Sequence, residues 1–433
     1  MIQNVKKLGE IADVRDGTHD SPKQKEFGKP LITSKHIKGG KIDLQSAYLI
    51  SIEDFDKINK RSKVDKWDIL FSMIGTIGEM VIVENEIDFA IKNVGLFKTG
   101  DEKLSKWIYY YLKSPEAQKE IEASLKGSTQ QYISLTDLRN FPIQILPTNQ
   151  RNQIIEILSS LDDKIELNNQ INQNLEALAQ ALFKQWFVDF EFPNENGEPY
   201  KSSGGEMIDS ELGEIPKGWR VGMLEEVIEF SNGYSFKSSE LLDEDLGNCF
   251  HVFKMGHIKK GGGLNAEGTK SYFEKDKTSK LGKYVLKIGD LLMCMTDMKG
   301  NVALLGHTAL MNEDEKYIVN QRVGLLRPKN SVGIDYPYLY ILTNSTLFIE
   351  DLRSRANSGV QVNLSTSEIR NTKIIIPDFQ TNSAFDHAVK PFFLRLFNSQ
   401  KENHSLRTIR DNLLPKLISG ELEVSENSLE PTF

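Results

Sequence analysis

The side chains that could do chemistry are dispersed through this sequence, and the compact motifs that activate such groups are missing. Seven histidines occur without metal-ligand spacing, and His-Glu-x-x-His is absent. Two cysteines, Cys249 and Cys294, are too few for a disulfide framework and form no Cys-x-x-Cys. Gly-Lys pairs at 28–29, 40–41 and 282–283 lack the upstream glycine and the following Ser or Thr of a phosphate loop. There is no Asn-Pro-Pro-aromatic run of the kind used in adenine methylation, and no glycine-rich strand-to-helix turn for a nucleotide. Scattered Asp, Glu and Lys are not gathered into anything resembling a nuclease site. The pattern points away from catalysis.

What does recur is the chemistry of contact with a polyanion. Ser34, Lys35, His36, Lys38 and Lys41 flank Gly39-Gly40, while Lys254, His257, Lys259 and Lys260 precede Gly261-Gly262-Gly263. Lysines attract phosphates irrespective of sequence, and glycines let a backbone approach closely. A solvated hairpin turn would account for the lysines equally well, and the fold itself could fix His36 and His257. A second pair of candidates is polar: Gly127-Ser128-Thr129-Gln130-Gln131-Tyr132 and Ser358-Gly359-Val360-Gln361-Val362-Asn363. Gln and Asn can make paired hydrogen bonds to adenine. The competing expectation is that Gln130 and Gln361 brace the domain, since a shared position suits architecture better than discrimination. Base reading is then expected from segments that differ, such as Arg15–Lys25, Tyr234–Asp245 and Lys270–Lys283.

These candidates come in pairs because the chain is one unit written twice. Leu8–Val14 answers Leu224–Phe230, each followed by a glycine, Gly17 or Gly233. Trp67–Met73 answers Gly289–Met295, Asn93–Leu96 answers Arg322–Leu325, and Gln130–Asn140 answers Gln361–Asn371. The offset grows from 216 (Leu8 to Leu224) to 231 (Gln130 to Gln361), so the second copy carries about 15 extra residues. They fall mainly near 237–250, 261–283 and 312–317. Each copy reads as mixed α+β, with strands at Ile69–Ile74, Met80–Val83 and Ile318–Leu326. A helix follows at 103–125 or 335–355. A short strand, Ile143–Leu146 or Ile374–Ile376, then runs into Pro147 or Pro377 and a long helix.

The long helices carry a 4-3 repeat. The first reads Ile154, Leu158, Leu161, Ile165, Asn168, Asn172, Leu175, Ala179, Leu182, Trp186. The second reads Phe385, Val389, Phe392, Leu396, Ser399, Asn403, Leu406, Arg410, Leu413, Leu417. Polar residues fall at the same two central layers, where a buried Asn lowers stability and fixes register. The simplest partner for each seam is the other helix, paired as an antiparallel coiled coil.

Charge is consistent with local rather than global attraction. The chain has a net charge of −8. Residues 1–148 carry 22 Lys and Arg against 21 Asp and Glu, and 219–378 carry 20 of each. Residues 191–218 carry 2 against 7, so much of the excess acid lies outside the globular parts. Cysteine usage and the absence of a leader-like start or a membrane-length apolar run imply a cytoplasmic protein without a membrane role.

The run Leu182-Phe183-Lys184-Gln185-Trp186-Phe187-Val188-Asp189-Phe190 closes the first helix, and Leu212-Gly213-Glu214-Ile215-Pro216-Lys217-Gly218-Trp219 ends the segment after it. Together they resemble the central conserved region of specificity subunits of type I restriction-modification systems. Leu414-Pro415-Lys416-Leu417-Ile418-Ser419-Gly420-Glu421-Leu422 is similar to that family's distal conserved region. The resemblance runs through the whole chain in order. It implies a target-recognition domain at 1–148, a conserved helix at 149–190, a linker at 191–218, a second target-recognition domain at 219–378, a second conserved helix at 379–425 and a tail at 426–433. It further implies a non-catalytic subunit that binds a split site in double-stranded DNA. Two methyltransferase subunits using S-adenosylmethionine, and restriction subunits using ATP and Mg, would be its partners. The lead-in Pro216-Lys217-Gly218-Trp219 has no counterpart before Leu8. A coiled-coil scaffold whose domains bind proteins is the alternative from another class, and a fused methyltransferase is a third.

Overall fold

The computed structural model describes residues 4–424 apart from 87, 279, 299–301, 330–332 and 359–360; the expected tail at 426–433 lies outside the described residues. The chain divides into two compact units. Unit 1 runs up to Leu167 and resumes at Glu402; unit 2 is Asn168–Lys401. The division therefore falls inside the long helices, α1 (Thr148–Phe187) and α2 (Phe379–Ser419), so each unit holds one mixed domain and a stretch of both. Among the described residues no helix is long and apolar enough to cross a membrane.

In unit 1, β1 (Asp13–Asp16), β2 (Ile69–Ser72), β3 (Met80–Ile82) and β4 (Val94–Lys98) form an antiparallel sheet in the order β1-β4-β2-β3. In unit 2, β5 (Ile228–Asn232), β6 (Leu291–Cys294), β7 (Thr308–Leu310) and β8 (Val323–Pro328) repeat it as β5-β8-β6-β7. β2 and β6 are buried at every residue, as strands covered on both faces must be. Each unit adds a three-stranded sheet with one parallel pairing. In unit 1 Lys29–Ile32 lies between Leu49–Ile50 and Ala90–Ile91; in unit 2 Cys249–Phe253 lies between Tyr272–Glu274 and Tyr317–Val319. The opening strand is also matched: Val5–Lys7 pairs with Pro142–Gln144 as Arg220–Met223 pairs with Lys373–Ile376.

The repeated glycines mark close backbone approach. A Cβ at Gly17 would lie 2.3 Å from the Ile91 carbonyl oxygen, and one at Gly233 would lie 2.2 Å from that of Asn320. Trp67 and Gly289, which answer each other in sequence, both take left-handed φ, 70° and 90°.

Three expectations change. The helix read at 103–125 is two, Glu102–Lys113 and Pro115–Ala123, and that at 335–355 is also two, Tyr336–Thr343 and Thr346–Ser354. Ser114 and Ser345 each cap a new helix start, and Pro115 cannot donate to the turn before it. The run Ile318–Leu326 splits into strands of different sheets, because the chain turns at Asn320–Arg322. Residues 191–218 are no open linker. Phe192 stacks on Tyr200 and Trp219 at centroid distances of 4.6 and 5.0 Å, and Trp219 Nε1 donates to Asp378 at 2.9 Å.

The helical seam is as its periodicity predicts. In unit 1, Ile154 and Leu158 of α1 join Leu414 and Leu417 of α2 in the domain's core, and Arg410 pairs with Asp162 at 2.5 Å. In unit 2, Phe183, Trp186 and Phe187 of α1 surround Phe385 of α2. The pairing in each unit is antiparallel. Asn168, Ser399 and Asn403 are buried and Asn172 is half-buried. Asn403 Nδ2 reaches the Ile165 carbonyl at 3.5 Å.

Candidate nucleic-acid interface

Unit 1 brings two distant candidate clusters onto one open concavity of 650 Å³, lined by Thr33, Ser34, Lys35, Lys38, Gly75, Thr76, Asn93 and Gln130 among others. Its first wall follows from a local sequence of events. After the strand Lys29–Ile32 the chain makes a single 3-10 turn, Ser34–His36, and then a hairpin of Ile37–Lys38 against Lys41–Ile42. Gly39 and Gly40, at φ 57° and 76°, close it. Lys35 and Lys38 are exposed, and among the described residues neither forms an ion pair.

The rest of this turn serves the fold. The Gly39 N–H donates to Glu79 Oε2 at 2.8 Å, and a Cβ at Gly40 would lie 3.3 Å from the Tyr109 hydroxyl. Lys41 Nζ is 2.8 Å from Glu166 of α1. The glycines thus seat the hairpin on the protein, and Lys41, though exposed, is paired with a carboxylate. Unit 2 repeats the arrangement with different residues. A Cβ at Gly262 would meet the Asn344 side chain at 2.5 Å. Lys259 and Glu176 of α1 line a small cavity of 80 Å³ with Tyr340 and Gln400. Lys260 is exposed and Lys254 half-buried.

His36 and His257 are corrected from DNA candidates to structural residues. They are 1% and 0% exposed. The Thr33 N–H donates to His36 Nδ1 at 2.9 Å, and the Lys254 N–H to His257 Nδ1 at 3.1 Å. Burial, and then the neighbouring Lys35, holds the His36 pKa below its usual value; burial and the adjacent His251 push that of His257 down to about 4. Both imidazoles are neutral near pH 7 and cannot present charge to a phosphate.

The polar cluster behaves in the opposite way. Lys126 and Tyr132 exchange backbone hydrogen bonds at 2.9 Å, so Thr129, Gln130 and Gln131 are held out on an exposed loop. Tyr132 bridges to Ile74, which brings Gly75 and Thr76 alongside. In unit 2 the strand Gln361–Asn363 pairs with Thr296–Met298 and with Asn357–Ser358, and Thr296 Oγ1 donates to Asn363 Oδ1 at 2.8 Å. Gly359 and Val360 of this loop lie outside the described residues. Gln130 and Gln361 are exposed, and among the described residues neither side-chain amide has a hydrogen bond.

The segments expected to read bases are less free than their divergence implied. Asp16 is buried and gripped by Arg61 at 2.5 Å and His19 at 2.9 Å. Tyr234, Phe236 and Leu241 pack around Phe250, Phe273 and Leu281 as a cluster of their own. Leu242 and Tyr272 exchange backbone hydrogen bonds at 2.9 and 2.8 Å. Gly75, Thr76 and Asn93 also line the concavity but were not among the sequence candidates; the pairing of Ile74 with Tyr132 is what brings Gly75 and Thr76 to Gln130.

Comparison with known proteins bears on this arrangement. The family model for the type I restriction modification DNA specificity domain matches residues 3–177 and 216–403. The specificity subunit of the type I restriction enzyme MjaIX of Methanocaldococcus jannaschii is 27% identical over 440 residues, covering 98% of this chain and 94% of the relative. That of HindI from Haemophilus influenzae is 25% identical over 414 residues, covering 84% and 88%. Among solved structures, the S subunit of a type I restriction-modification system from M. genitalium shares the fold, with a TM-score of 0.52 at 18% identity over 96% of this chain and 97% of that one.

Proposed function

The chain belongs to the type I restriction-modification DNA specificity family, and from that premise we propose that it reads a bipartite, asymmetric site in double-stranded DNA, one half-site per unit. It acts as a cytoplasmic recognition subunit with no reaction of its own. Two methyltransferase subunits, carrying S-adenosylmethionine, and restriction subunits, using ATP and Mg, assemble on it.

The observation that carries the reading is the repeat. Two units share one sheet order and one framework of buried contacts, yet differ in most of the candidate residues they expose. Unit 1 offers Lys35, Lys38, Thr129, Gln130 and Gln131; unit 2 offers Lys259, Lys260, Gln361 and Asn363, with Lys254 half-buried. Unequal surfaces on equal frames suit unequal half-sites. Half-site centres about one helical turn, ~34 Å, apart would let both domains face one side of the duplex. Footprinting the complex with its methyltransferase partner tests this: two protected blocks of different sequence are expected, and one continuous or palindromic footprint would refute it.

A further inference from the structure

We propose that Gln130 and Gln361 are equivalent base-reading residues, each making a paired amide contact to an adenine in its own half-site. The assignment rests on the DNA-reading function above and names residues for it.

Most matched polar positions in the two copies are explained inside the protein. Asp68 is held by Lys98 at 2.6 Å and Asp290 by Arg327 at 2.8 Å. Arg139 and Arg370 donate to the carbonyls of Val14 and Phe230 at 3.0 and 3.2 Å. His36 and His257 accept a backbone N–H three residues back, and Ser134 and Ser365 cap matched helices. Gln130 and Gln361 stand nine residues before Arg139 and Arg370, in the same register, yet both are exposed and neither amide has a partner among the described residues. A side chain kept at one place in two otherwise drifted copies, with nothing to hold inside, matches something outside that both half-sites share.

The amide decides what that is. It presents one acceptor and two donors in a plane, the complement of adenine N7 and N6 in the major groove. A phosphate would use only the donors, and the concavity already supplies Lys35 and Lys38 for that purpose. In unit 2 the strand pairing sets Gln361 opposite Met298, the place Thr76 takes beside Gln130 in unit 1.

The test is selection from a randomised duplex library by the full chain in complex with its methyltransferase subunits, using wild type, Gln130→Ala, Gln361→Ala and the two Gln→Glu variants. Each Ala variant should lose ~5- to 150-fold discrimination at one adenine of one half-site, a different half-site for each. The Glu variants should shift that position towards cytosine, whose N4 can donate to a carboxylate. Melting curves should overlay the wild type. Uniform weakening over all sequences would mark a phosphate contact and overturn the assignment. So would unchanged selectivity, or lowered melting in both the Ala and Glu variants, which would mark a brace. A wild-type complex that selects no sequence at all would instead overturn the DNA-reading function itself.

Discussion

Around one turn and its hairpin the structure separates two exposed lysines without an ion pair from a third that is paired with a carboxylate. Lys35 and Lys38 line the concavity of unit 1 without an ion pair among the described residues, whereas Lys41 is 2.8 Å from Glu166. If Lys35 and Lys38 each neutralise one phosphate, the pair contributes ~1.8 to the slope of log affinity against log salt, at ~0.9 per contact. Between 50 and 200 mM salt, a fourfold change, the affinity deficit of a Lys35→Ala/Lys38→Ala chain should then shrink by about 12-fold. Lys41→Ala should lower the slope less than loss of either of those lysines, because its ammonium would have to leave Glu166 to meet a phosphate. The assay is fluorescence anisotropy of a labelled duplex bound by the full complex over a salt series. An unchanged slope in the double variant, or an equal loss in Lys41→Ala, would refute the assignment of this hairpin face to DNA.

Other consequences can be measured on the chain itself. Arg327→Met should cost about 3–5 kcal/mol in chemical denaturation, because buried Asp290 would keep only the Lys287 N–H at 2.9 Å. Replacing both partners with apolar residues should recover most of that loss; failure to recover would count against the ion pair as the cause. Asn172→Leu should raise the melting temperature, since Asn172 Oδ1 is buried with no partner among the described residues. Leucine at Asn168, Asn172 and Asn403 together should stabilise the helical pairing and loosen its register; strong destabilisation by all three would show that they are not seam layers. Burial and the adjacent Asp335 push the Asp386 carboxyl up to about 7, against an ordinary value near 3.8. The folded state therefore holds that proton more tightly than the unfolded chain does, and its stability should fall as pH rises from about 4 to 7. Asp386→Asn should melt higher than wild type at pH 8 and about equally at pH 4; the same gap at both would exclude this carboxyl.

The duplication, the mixed α+β character of each copy and the layers of the helical seam were legible from residue order. A 3.5-residue period records which face of a helix is buried, whatever that face meets. Asn168, Ser399 and Asn403 accordingly lie buried where the spacing puts them, and polar Arg410 in the seam is answered by Asp162. The expected bounds of the shorter elements failed where a cap or a turn intervened, at Ser114, Ser345 and Asn320–Arg322.

Only the tertiary structure decided which candidates are available to a ligand. Lys35, His36 and Lys41 are neighbours of similar type in the sequence, yet one is exposed without an ion pair among the described residues, one is neutral and buried, and one is exposed but paired with a carboxylate 125 residues away. The linker composition of 191–218 likewise conceals an aromatic stack that closes against Trp219. Residue type sets what a side chain can do. Whether it is still able to do so depends on partners the chain brings from far away, and those are chosen by how the whole unit packs.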